Sequence, residues 1–118
     1  MSRNLNIAFL MDPLETLDLK GDTTFALALE AQRRNHKISF FEPKDLILKS
    51  NNVYADICKL ELFSKNNLSE FKYHKRTISS LKEFDVVMMR QDPPFDMAYI
   101  TATHILEKLP NSTLVVNN

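Results

Sequence analysis

Short apolar runs alternate with amphipathic stretches along this chain, and prolines mark where several of the runs stop. Leu5-Asn6-Ile7-Ala8-Phe9-Leu10-Met11 is a strand pattern that ends at Asp12-Pro13. After a connecting stretch, Phe25, Ala28, Leu29 and Gln32 repeat at helical spacing. Asp22, Thr23 or Thr24 can cap that helix, whose first amides would otherwise lack partners. Arg33 and Arg34 suit its negative pole, and Asn35 is a left-handed stop, a role glycine more often fills. Ile38-Ser39-Phe40-Phe41-Glu42 is a second strand, closed by Pro43. Strand, helix, strand in this order predicts a βαβ unit with a right-handed crossover.

The middle of the chain changes character. Leu46 to Lys49, Ser50-Asn51-Asn52 and Val53 to Ile57 predict a hairpin, because asparagine tolerates the positive φ of a tight turn. Val53, Ala55 and Ile57 give it one apolar face. Residues 66–80 have the least legible period. There, Phe71-Lys72-Tyr73-His74-Lys75-Arg76 interleaves basic and aromatic residues, which reads as a solvated edge strand whose lysines discourage edge pairing.

Val86 to Met89 returns to an unbroken apolar run, the mark of a strand buried on both faces. It passes through Arg90-Gln91-Asp92 into Pro93-Pro94, and Asp96 then caps a helix predicted from Met97 to about Leu109. Ala102, Ile105, Leu106 and Leu109 form its core stripe, with His104 off the stripe and solvent-facing. Pro110-Asn111 ends it, and Thr113 to Val116 is a last strand. The pattern predicts an α/β fold: a mainly parallel sheet flanked by helices, with an inserted β-hairpin.

Composition narrows the function classes. At 118 residues the chain is one domain, long enough to bury roughly two thirds of its unfolded surface. Fifteen basic residues balance fifteen acidic ones, whereas a nucleic-acid or membrane-surface role calls for a basic excess. The aromatic–basic stretch could stack on single-stranded nucleic acid, but the zero net charge argues against it. No apolar run approaches bilayer length, and the start of the chain lacks a cleavable signal pattern, so a soluble cytoplasmic protein is expected. The single cysteine, Cys58, excludes an internal disulfide, and no residue nearby in sequence is spaced to activate it. His36 is expected at the surface or a helix end, without a catalytic role. With one glycine, Gly21, the chain has neither a dinucleotide fingerprint nor a P-loop.

The candidate chemistry lies where strands meet prolines. Pro93 and Pro94 lack amide protons and fix φ, so they end the strand on a stiff corner. Arg90 and Asp92 then stand at the carboxyl end of a buried strand, where open α/β sheets bind ligands. Asp12, followed by Pro13, occupies the equivalent position after the first strand. All three also have a plain structural use, tying turns together.

Five blocks carry a resemblance: Met11-Asp12-Pro13, Phe25 to Arg34 (FALALEAQRR), Val86 to Asp96 (VVMMRQDPPFD), Tyr99 to Glu107 (YITATHILE) and Thr113 to Asn117 (TLVVN). In this order and spacing the chain resembles the N-terminal domain of prokaryotic-type glutathione synthetase, most weakly between about Ser50 and Ser80. The resemblance implies a Rossmann-like pre-ATP-grasp domain over residues 1–118, forming one wall of an active-site cleft and part of a subunit interface. It implies a ligase that joins γ-glutamylcysteine to glycine through an acyl phosphate, using ATP and Mg2+. The ATP-grasp domains that hold nucleotide and metal would follow this one, so the chain alone is expected to be inactive, with no catalytic or metal residue of its own. The substrate contacts implied on this side are Arg90, whose guanidinium matches a carboxylate in a fork, and Asp12 and Asp92, which would orient it or accept from the dipeptide amine. A homo-oligomer is implied as well.

Two rivals stand beside this reading. A receiver domain has this length and alternation, but needs an acidic pair after the first strand and a lysine after the last; the chain has Asp12 and no such lysine. A standalone, non-catalytic binding or oligomerisation module would use the apolar helix faces for assembly and bind no ligand.

Overall fold

A computed structural model of the chain describes residues 4–11, 23–65, 68–90 and 97–117. Within them run β1 (Asn6–Met11), α1 (Thr23–Arg33), β2 (Lys37–Phe41), β3 (Leu46–Lys49), β4 (Asn52–Lys65), β5 (Leu68–Ser80), β6 (Val86–Arg90), α2 (Met97–Leu106) and β7 (Leu114–Asn117). Seven strands form one sheet in the order β3-β4-β2-β1-β6-β7, with β5 on the far edge of β4. The fold is mixed α/β and Rossmann-like. The β2-β1-β6-β7 part is parallel, while β3, β4 and β5 form an antiparallel meander that joins it through β2.

The apolar runs of β1 and β6 follow from burial on both faces. Ala8, Leu10, Val87 and Met89 pack to one side, where Ala102 and Leu106 of α2 cover them. Ile7, Phe9 and Met11 pack to the other, beneath Phe25 and Ala28 of α1. With a helix on each face, a polar residue between Ile7 and Met11 would have no solvent to point at. Asn35 takes φ 69° just after α1, the left-handed stop expected of it.

Two departures from the sequence reading have physical reasons. The hairpin does form, with Ser50 (φ 52°) and Asn51 (φ 63°) as the two positive-φ residues of a tight turn. Its second strand, however, runs on to Lys65 and pairs along its length with β5, a second long hairpin that the sequence reading lacks. The cause is a change of buried face: Val53, Ala55 and Ile57 point into one core, and Cys58, Leu60 and Leu62 into the other. Strict alternation read from Val53 stops at Ile57, although the strand does not.

Second, α2 ends at Leu106 rather than near Leu109. Lys108 N–H donates to Ile105 O and Leu109 N–H to Leu106 O, both at 3.1 Å, so the last turn tightens to i→i+3 bonds before Pro110. Leu109 still packs against the core, and His104 is exposed as expected. His36 stands at the helix end expected of it, its N–H donating to Ala31 O at 3.1 Å, and its half-buried ring also anchors the start of β1, Nδ1 accepting the Leu5 N–H at 2.9 Å.

Candidate functional site

The strand order reverses at β1, which has β2 on one side and β6 on the other. A crevice opens at the carboxyl ends of strands at such a switch point. β1 ends at Met11 and β6 at Arg90, and these two residues are register partners in the parallel pair. Both strands therefore leave the sheet at one rim, side by side. Arg90 is half-buried there.

The same rim receives the start of α1. Thr24 lies inside the helix rather than at its cap, is 8 % exposed, and accepts a hydrogen bond from Arg90 Nε at 3.2 Å. Phe25 and Ala28, packed on the core, fix the helix in place. The positive pole of α1 thus faces the end of β6, which favours an anion at the rim. Sequence reasoning proposed Thr24 only as a capping candidate; its spacing of 66 residues from Arg90 carries no signal in the sequence. Asp12 and Asp92 lie outside the described residues.

Chemically, the described part of the rim offers one guanidinium and one hydroxyl beside a helix N-terminus. That set fits a carboxylate. Among the described residues there is no group of three or more His, Cys, Asp or Glu able to hold a metal. Also among the described residues, no helix is long and apolar enough to cross a membrane.

The other reactive side chains are used in structure. Cys58 is 2 % exposed and its Sγ donates to His74 O at 3.3 Å. Burial pushes its thiol up, against the opposing charge of Arg76. His74 Nε2 lies 3.0 Å from Glu61 Oε1 on the exposed surface. In the basic–aromatic stretch, Phe71 and Tyr73 turn toward the core, with Tyr73 stacked on Phe40 at 5.2 Å between ring centroids. Arg76 meanwhile reaches Asp56 at 3.2 Å and Asp45 at 3.1 Å. The rings are thus engaged, and β5 pairs only with β4 among the described strands, as an edge strand should.

Comparison with known proteins gives one family. A family model for the prokaryotic glutathione synthetase N-terminal domain matches residues 5–118. The glutathione synthetase of Rhodopseudomonas palustris is 46 % identical over 114 residues, covering 97 % of this chain and 36 % of that protein. That of Mesorhizobium japonicum shows the same identity and coverage. The glutathione synthetase of Buchnera aphidicola from Schizaphis graminum is 39 % identical over 116 residues, 98 % of this chain and 36 % of its own. The chain thus spans about a third of the length of these relatives.

Proposed function

The chain belongs to the family of prokaryotic glutathione synthetase N-terminal domains, and from that premise we propose that it is the substrate-side domain of an ATP-dependent ligase joining γ-glutamylcysteine to glycine. In this reading residues 1–118 form one wall of the active-site cleft. ATP-grasp domains following them in the polypeptide supply the ATP and Mg2+ sites. ATP supplies the activation of the dipeptide carboxyl group. This domain's share is to bind and orient the acidic peptide. A homo-oligomer in the cytoplasm belongs to the same proposal.

One observation carries the reading: Met11 and Arg90 are neighbours at the carboxyl rim of the sheet, at the switch point, beside the start of α1. A guanidinium held there pairs with a substrate carboxylate in a planar fork, a geometry that a lysine ammonium cannot reproduce. Asp12 and Asp92 join it in the proposal, as groups that orient Arg90 or accept from the dipeptide amine.

Steady-state kinetics of the complete enzyme test this. Arg90→Ala should lower kcat/KM for γ-glutamylcysteine by about tenfold to a hundredfold, the effect of losing a charge-assisted hydrogen bond. An unchanged kcat/KM would remove Arg90 from the site.

A further inference from the structure

We propose that Thr24 is a positioning residue for Arg90: its hydroxyl holds the guanidinium Nε and so closes the side-on approach of a carboxylate. This rests on the reading of Arg90 as the contact to an acidic substrate.

The argument begins with what Thr24 is among. It lines a small buried void with Phe9, Met11, Phe25, Ala28, Leu60 and Leu62, every one of them apolar. At 8 % exposure, a hydroxyl in such a place costs free energy unless it has a hydrogen-bond partner. A valine would fill the same space without that cost. The hydroxyl's partner is Arg90 Nε, at 3.2 Å.

Register with Met11 fixes the backbone of Arg90, but its long side chain carries about 2 kcal/mol of rotamer entropy. A site that leaves this freedom to be lost when substrate arrives binds more weakly than one in which the chain is already held. Thr24 supplies a second fixed point from another element, since α1 is seated on the core by Phe25 and Ala28.

The bond also selects a geometry. A guanidinium can meet a carboxylate side-on, through Nε and one Nη, or end-on, through both Nη. With Nε donating to Thr24, the side-on fork is closed.

The test uses Thr24→Val, Thr24→Ala and Thr24→Ser in the complete enzyme, with KM measured separately for γ-glutamylcysteine, glycine and ATP. Thr24→Val and Thr24→Ala should each raise KM for the dipeptide about threefold to tenfold, with kcat and the other two KM values nearly unchanged. Thr24→Ser, which keeps the hydroxyl, should restore most of the loss. In an Arg90→Ala background, Thr24→Val should add nothing further. The inference is overturned if Thr24→Val matches wild type, if serine fails to rescue, or if all three KM values move together. Arg90→Ala alone separates the two levels. If it leaves dipeptide kinetics intact, the substrate-contact reading falls; if it impairs them while Thr24→Val does not, only the positioning role falls.

Discussion

The side-chain amide of Gln32 forms one rung of a β-ladder with the backbone of Leu62. Gln32 Nε2 donates to Leu62 O at 2.7 Å, and Leu62 N–H donates to Gln32 Oε1 at 2.8 Å. The rung lies past the last β2–β4 pair, Ser39 with Lys59, where among the described residues no strand neighbours β4 on that side. A helix side chain thus satisfies two backbone groups on a partly buried strand edge, and pins the end of α1 to the meander. Together with the Thr24–Arg90 bond, it fastens α1 near both of its ends.

Replacing Gln32 by leucine keeps the volume but leaves both Leu62 groups without this partner. The expected loss is about 1–3 kcal/mol, the cost of unsatisfied buried polar groups. Urea unfolding of Gln32→Leu against wild type measures it, and equal midpoints would show that solvent replaces the amide at no cost.

The turn at Ser50-Asn51 offers a change in the other direction. Ser50 holds φ 52° without asparagine's tolerance of that region, so part of the hairpin's stability is lost to left-handed strain. Ser50→Gly should relieve it, for a net gain of about 0.5–1 kcal/mol after the added freedom of the unfolded chain is counted. Thermal melting should show Tm rising by a few degrees. A lower Tm would mean that flexibility outweighs strain here.

Cys58 is a thiol held in its protonated form. Burial raises its pKa above the ordinary 9.0, and the charge of Arg76 only partly offsets this. The folded state therefore keeps the proton longer than the unfolded chain does. The contribution to stability is intact below pH 9 and fades as pH rises through the raised folded value. A disulfide reagent at pH 8 should label the native protein very slowly and the protein in guanidinium at once. Rapid native labelling would place the thiol at the surface.

Much of this was legible residue by residue. The unbroken run at Val86 to Met89 announced a strand covered on both sides, because only such strands have no use for polar positions. Asn35 marked the end of α1, since few residues accept a positive φ. The placement of Arg90 at a carboxyl rim followed from strand direction and the prolines after it. What escaped was the second half of β4. Ile57 and Cys58 are buried side by side on opposite faces, so a period-2 reading breaks at the point where the strand passes from one core to the other. The bond between His36 and Leu5 escaped for a related reason: the two are 31 residues apart, and nothing local signals an acceptor.

The chain's order of apolar and polar positions determined by itself which segments become strands and helices, which sides they bury, and which residues stand where strands end. Each of those depends on a side chain's preference for water or for neighbours a few residues away. Tertiary structure alone decided the pairings: Thr24 under Arg90, Gln32 against Leu62, β5 along β4. A hydrogen bond between residues 30 or more positions apart exists only once packing has closed the chain between them, and the entropy of that closure is met by the whole core rather than by the two residues that meet.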